Sequence, residues 1–240
     1  MTVGVSPDLP HTEELPPIRQ WSLRIAKRPV AWIIRTLWRV HLHGAHNVPR
    51  AGGVILAANH IGILDGPLLV AVSRRLCFAM AKHELFTGVS GAIFSHVGQI
   101  AVNRRVVDKR AISRSIQLLR AGKILAVFPE GVRGAGEMTY AKGGAAYLAL
   151  VTGAPIVPVA ILGTREAGQS TGQMPHRRAP IHVVYGEPIQ LPESSWPRRK
   201  AMVAELTEQL RRQLAEHIIA AQALTGLPLP GPPKLKPSHI

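Results

Sequence analysis

Short apolar runs begin at Val54, Leu76, Ile100, Ile124, Ile156 and Ile181, and stretches with helical periodicity separate them. Between Asp108 and Gly122, for example, Ile112, Ile116 and Leu119 fall on one face of a 3.6-residue repeat. Runs that are apolar at every position, without a polar alternate, are the pattern of strands covered on both faces. The alternation therefore predicts an α/β fold: a mostly parallel central sheet flanked by helices. Gly143 to Thr164 carries no charge and is long enough to span a bilayer, but Gly153, Pro155 and Pro158 punctuate it. It reads instead as a helix over Gly144–Thr152, a glycine C-cap and a buried strand over Ile156–Leu162. Leu85 to Asn103, broken by Gly88, Gly91 and Gly98, is excluded as a span on the same ground. Met202, Leu206, Leu210, Leu214 and Ile218 repeat every four residues and predict a long closing helix.

At 240 residues and 46% hydrophobic, the chain suffices for one such domain with appended segments, and a second complete domain does not fit. The expected division is a disordered N-terminus over 1–15, amphipathic membrane-interface helices over 16–43 that pass into a first strand near Val40 to His43, a catalytic domain over 44–222 and a Pro-rich tail over 223–240, unstructured from Leu227 onward. The formal charge of +15 calls for an anionic partner. Its distribution narrows the choice, because Pro16 to Leu64 holds no Asp or Glu while Arg24, Lys27, Arg28, Arg35 and Arg39 interleave with Trp21, Trp32 and Trp38. On a helix broken near Pro29, the second half places Trp32, Ile33, Leu37 and Val40 on one stripe. Tryptophan with arginine fits a helix lying on an anionic membrane surface. Nucleic-acid stacking uses the same residue types, and a helix that merely covers the core shares the pattern; the membrane is the expected partner and nucleic acid is not. Asp8, Glu13 and Glu14 near the start are unlike a signal peptide, and a single cysteine forms no intrachain disulfide. A peripheral protein of the cytoplasmic face of the cell membrane is the expectation.

The chemistry begins at Asn59-His60, which closes the run Val54–Ala58 and is followed by Asp65. A neutral His60 accepts a proton through one ring nitrogen while Asp65 holds the hydrogen on the other and stabilises the imidazolium. The pair lacks a nucleophile of its own. No serine sits in a Gly-x-Ser-x-Gly elbow, and Cys77 lies in an apolar stretch where thiols are structural. A substrate hydroxyl is therefore the expected attacking group. Asp65 ahead of Gly66-Pro67 also has the ordinary reading of a helix start. A second block, Phe128-Pro129-Glu130-Gly131-Val132-Arg133-Gly134, follows the run Ile124–Val127 and is expected at a strand's carboxyl end, where α/β proteins build their sites. There Gly131 and Gly134 permit close backbone approach, Arg133 offers a planar fork to phosphate or carboxylate, and Glu130 is placed to orient that fork. The same residues also make an ordinary solvated turn.

Between the two blocks lie Lys82-His83-Glu84-Leu85 and Gly98-Gln99-Ile100-Ala101-Val102-Asn103-Arg104; Lys142-Gly143 and Val157-Pro158-Val159 follow. In this order the blocks resemble those of the 1-acyl-sn-glycerol-3-phosphate acyltransferase family, over roughly Gly44 to Ile189. The resemblance implies a glycerol-3-phosphate acyltransferase-like fold, an acyl thioester donor carried by coenzyme A or acyl carrier protein, a lysophospholipid acceptor, and no cofactor or metal. It implies His60 as general base with Asp65 as its partner, and Lys82, Arg104, Glu130, Gly131 and Arg133 around the acceptor's phosphate, with Lys142 a weaker member. The clustered His41, His43 and His46 lack paired ligand spacing for a metal. Where the family usually carries Thr and Ser around the arginine of its third block, this chain has Val132 and Gly134, and Gly62 replaces a Ser after the histidine. These departures bear on the acceptor more than on the chemistry. A glycolipid or other non-phosphate acceptor is the enzymatic alternative, and a non-catalytic basic protein that binds membranes or nucleic acid is the alternative of another class.

Overall fold

In the computed structural model the described residues are 12, 15, 20–86, 99–103, 108–191 and 199–234, with only the backbone described at 85 and 86. Among them, seven strands form one sheet: β1 (Arg39–His43), β2 (Val54–Ala58), β3 (Cys77–Lys82), β4 (Ile100–Val102), β5 (Ile124–Val127), β6 (Ile156–Leu162) and β7 (Pro180–Tyr185), in the order β1-β7-β6-β2-β5-β3-β4. Every neighbouring pair is parallel except β6 and β7. The predicted mostly parallel α/β architecture is what the chain adopts. The reversal after β6 also brings the start of β1 to the end of the sheet where β2, β5 and β6 finish.

Strand burial follows from side-chain alternation. Val54, Leu56 and Ala58 of β2 join one core layer with Cys77, Ala79, Ile124, Ala126, Val157, Val159 and Ile161. Ile55 and Ala57 join the other with Phe78, Leu125, Val127, Ile156, Ala160 and Leu162. In β2, β5 and β6 neither face meets water, which is why the sequence shows continuous rather than alternating apolar runs there. Helices α1 (Trp21–Leu37) and α2 (Asp65–Val72) contribute Ile34, Leu68 and Leu69 to the first layer. Helices α3 (Lys109–Arg120), α4 (Gly144–Thr152) and α5 (Lys200–Thr225) contribute Ile116, Leu119, Leu148, Leu210, Leu214 and Ile218 to the second. Asp108 caps α3, its side chain accepting from Ala111 N at 3.0 Å. The helix over Gly144–Thr152 and the strand over Ile156–Leu162 occur with the predicted bounds, and Gly153 takes the left-handed conformation at φ 63° between them.

Two expectations need correction. Helix α1 runs through Pro29 without a break. Lys27 Nζ donates to the carbonyls of Ser73 and Arg75, while Ile34 and Trp38 are buried on the same body, so docking on both sides of the proline outweighs the one hydrogen bond it removes. The first strand, expected near Val40 to His43, is β1, which pairs with β7. The Pro-rich tail is not unstructured over 226–234: Leu227 and Leu229 pack against the core, Leu229 N donates to Gln222 Oε1 at 2.9 Å, and Lys234 N donates to Gln169 O at 3.2 Å. Prolines lower the entropy lost when such a segment is seated, and alternate leucines supply the apolar contact. Residues 235–240, and 87–98 of the Leu85–Asn103 stretch, lie outside the described residues.

Two consequences are measurable. A Cβ at Gly53 would fall within 2.9 Å of the Leu119 carbonyl carbon, backbone that cannot move aside cheaply, whereas one at Gly144 in the first turn of α4 meets nothing within 4 Å. Gly53→Ala is expected to lower unfolding free energy by about 2 kcal/mol, and Gly144→Ala to leave it unchanged or raise it by about 0.5 kcal/mol, in urea titrations. Burial pushes the Cys77 thiol up to about 12. A disulfide-exchange reagent at pH 8 is expected to label it only after denaturation, and rapid labelling of the native protein would contradict its placement.

Candidate active site

The carboxyl ends of β2, β5 and β6 lie side by side, and each continues into a loop carrying polar residues. Asn59 extends the β2–β6 ladder with its side chain: Nδ2 donates to Ile161 O at 3.0 Å and Oδ1 accepts from Ile161 N at 2.7 Å. That pair of hydrogen bonds fixes the chain direction at the point where His60 leaves the sheet. His60 is only 8% exposed; its ring stacks on Phe128 at 4.2 Å between centroids, and its Nδ1 lies 2.8 Å from Asp65 Oδ2. Because Nδ1 is held by a carboxylate, it carries the hydrogen, and the proton-accepting position of the neutral ring is Nε2.

Asp65 is fully buried. Its Oδ2 also accepts from the backbone N–H groups of Ile61 at 2.8 Å and Gly62 at 2.9 Å, and its Oδ1 accepts from the Thr164 hydroxyl. The residue opens α2, so the helix N-terminus adds favourable partial charge. Both readings of Asp65 thus hold together, as helix start and as histidine partner. Gly62 is required by close packing: a Cβ there would meet Thr164 O at 2.8 Å, so a serine could not occupy this position without displacing the β6–β7 loop.

The Phe128–Gly134 loop forms the opposite wall. Gly134 N donates to His60 O at 2.8 Å, joining the two loops directly. Glu130 does not orient Arg133. Its Oε2 accepts from His60 N at 2.7 Å, and it takes a further backbone bond from Met138; burial nevertheless pushes its carboxyl above the usual range. The chain turns at Gly131, φ 72°, and the Lys142 side chain passes so close that a Cβ would sit 2.8 Å from Lys142 Cε. Lys142 reaches this place because its own N–H is bonded to Pro129 O at 2.8 Å. Arg133 Nη1 donates to Thr171 O at 2.9 Å, which lays the guanidinium between the β5 and β6 loops.

The structure thus brings together His60, Asp65, Glu130, Gly131, Arg133 and Lys142. Lys82 stands at the end of β3, beyond β5, half exposed and paired with Glu84 at 3.1 Å. Arg104 lies outside the described residues. Sequence reasoning missed Thr164 and Arg165, although the signal was available: they end the uncharged run that closes with β6, and a strand's carboxyl end is where polar residues carry information. Among the described residues no cluster of His, Cys, Asp and Glu could hold a metal ion; His41 and His43 instead face His182, with His43 Nε2 and His182 Nδ1 3.0 Å apart. Chemically, the site offers a base backed by a buried anion and a cationic, glycine-lined loop beside it.

The family model described as Acyltransferase matches residues 39–162. The 1-acyl-sn-glycerol-3-phosphate acyltransferase of Bacillus subtilis (strain 168) is 28% identical over 179 residues, 74% of this chain and 87% of that one. The protein of the same name from Borreliella burgdorferi is 33% identical over 138 residues, 54% of this chain and 55% of its own length. Among solved structures, the 1-acyl-sn-glycerophosphate (LPA) acyltransferase PlsC of Thermotoga maritima superposes with a TM-score of 0.57 at 25% identity, covering 80% of this chain and 78% of that one. With more than half of its length matched, including the loops that carry His60, Asp65, Glu130 and Arg133, the chain belongs to the Acyltransferase family.

Proposed function

We propose that this acyltransferase works at a membrane surface, moving a fatty acyl group from a thioester, acyl coenzyme A or acyl carrier protein, to a hydroxyl of a lysophospholipid, with lysophosphatidate converted to phosphatidate. The observation that carries the reading is the 2.8 Å contact between His60 Nδ1 and the buried Asp65, which leaves Nε2 as a base at the carboxyl end of the central strands. In the reaction the acceptor oxygen attacks the thioester carbonyl as Nε2 takes its proton. Asp65 stabilises the imidazolium, the C–S bond breaks, and the proton passes to the departing thiolate. The thioester is already activated, so positioning and one base suffice without an enzyme nucleophile. Arg133 and Lys142 supply positive charge for the acceptor's phosphate, with Lys82 and Arg104 assigned by resemblance.

The membrane assignment rests on α1. Trp21, Ile25, Val30, Trp32 and Ile33 are exposed on it, Trp32 at 69%, among Arg24, Arg28 and Arg35, and among the described residues no helix is long and apolar enough to cross a bilayer. Such a helix lies in the headgroup region, which is where a lysolipid acceptor is delivered. A non-phosphate acceptor is the second reading, and Val132, 62% exposed where the family's threonine would offer a hydroxyl, is what favours it.

His60→Ala is expected to lower kcat at least about 10³-fold with an unchanged circular dichroism spectrum, and Asp65→Asn to lower it about 10²-fold or more. Normal turnover by His60→Ala would remove the base assignment. Arg133→Ala is expected to raise KM for lysophosphatidate about tenfold while sparing the acyl donor's KM, in assays with products identified by mass. An unchanged KM, with preferred turnover of a lysolipid lacking phosphate, would establish the second reading instead.

A further inference from the structure

Among the described residues the largest fully buried side chain is a charged one, Arg165, at 2% exposure on the β6–β7 loop. Its Nε donates to Ile61 O at 2.7 Å, Nη2 to Gly134 O at 2.9 Å and Gly231 O at 2.6 Å, and Nη1 to Gln169 O at 3.2 Å. All four acceptors are backbone carbonyls. They belong to the His60–Asp65 loop, the Phe128–Gly134 loop, the C-terminal segment and Arg165's own loop. The rigid fork of a guanidinium suits such a junction, and a lysine could not reach all these directions at once.

What the guanidinium joins is the working part of the site. Ile61, whose carbonyl it holds, gives its N–H to Asp65 Oδ2; Gly134, whose carbonyl it also holds, gives its N–H to His60 O. The segment after α5 completes the junction through Gly231 and is tied down on either side by Leu229 N to Gln222 Oε1 and Lys234 N to Gln169 O. Leu229 lies within contact range of Gly136, whose Cβ would meet it at 3.3 Å and Asn59 Nδ2 at 3.1 Å.

We propose that Arg165 and the strap over 226–234 form one positioning device, in which the seated Gly231 carbonyl fixes the guanidinium and the guanidinium fixes both loops around His60. The proposal rests on His60 as the base. Neither Arg165 nor the strap touches the reacting atoms; they set the distance over which the proton moves. A displacement of about 1 Å in such a constellation can cost up to about 10²-fold in rate, so the effect falls on turnover and leaves substrate binding in place.

Gly231 separates this role from bulk stability, because it stands at φ 70° with nothing within 4 Å of an added Cβ. Valine has room there but resists a positive φ and must swing the carbonyl away, whereas asparagine tolerates the conformation. In the full chain, Gly231→Val is expected to lower kcat about tenfold, to leave both KM values within about twofold, and to speed amide exchange at Gly134; Gly231→Asn should stay within about twofold of wild type in all three. Arg165→Lys should reproduce the valine variant's loss of kcat. Wild-type kcat and Gly134 exchange in Gly231→Val, or equal losses in the valine and asparagine variants, would overturn the proposal. The exchange measurement needs no turnover, so failure of the strap's hold on the loop is read separately from failure of His60 as base.

Discussion

A carboxylate taken out of water must be surrounded by donors, and Asp65 imposes that requirement on everything near it. Left uncompensated, such a group costs several kcal/mol, and each hydrogen bond to it recovers about 1.5–3 kcal/mol. The chain supplies the His60 ring, the N–H groups of Ile61 and Gly62, and the Thr164 hydroxyl. To deliver them, the β2–α2 connection must fold back on its own helix N-terminus and the β6–β7 loop must reach across. The geometry of the histidine is thus a by-product of satisfying a buried charge, and for that reason it is fixed before any substrate arrives.

The loops then lock one another. Glu130 receives the N–H of His60, Gly134 donates to the carbonyl of His60, and Arg165 donates to the carbonyls of Ile61 and Gly134. Backbone groups leaving a sheet lose their ladder partners, and an unpaired one buried here would be costly. Side chains from neighbouring loops replace the lost partners, which explains why a glutamate and an arginine at the site hold backbone rather than each other. Arg133 and Lys142 are the cations that this arrangement sets on and beside the Phe128–Gly134 loop.

The reversal of direction at β7 has a functional side. It returns the chain so that β1 starts, and α1 ends, at the same end of the sheet as the three loops: Trp38 Nε1 donates to Pro175 O at 3.2 Å and Arg178 N to Leu37 O at 2.7 Å. The exposed tryptophans of α1 are therefore anchored to the body of the domain rather than carried on a loose arm. A helix so placed has its orientation tied to that of the loops around His60.

Local pattern was enough for the strands, the helix–glycine–strand passage through Gly153, and the two motif loops, because burial on both faces and φ requirements are written in neighbouring residues. The His60–Asp65 pairing was legible for the same reason, both partners lying within one strand–helix turn. Contacts between distant segments were not legible: that Glu130 would serve His60's backbone instead of Arg133, that α1 would run straight through Pro29, and that a Pro-rich end would seat against Gln222 and Arg165. Each depends on which loops the sheet order places side by side, and hydrogen bonds between residues a hundred positions apart leave no periodicity to read. The sequence by itself determined the fold class and the His60–Asp65 pairing; only tertiary structure decided what holds that pair in place, because the free energy of satisfying buried polar groups belongs to the assembled neighbourhood and to no single segment.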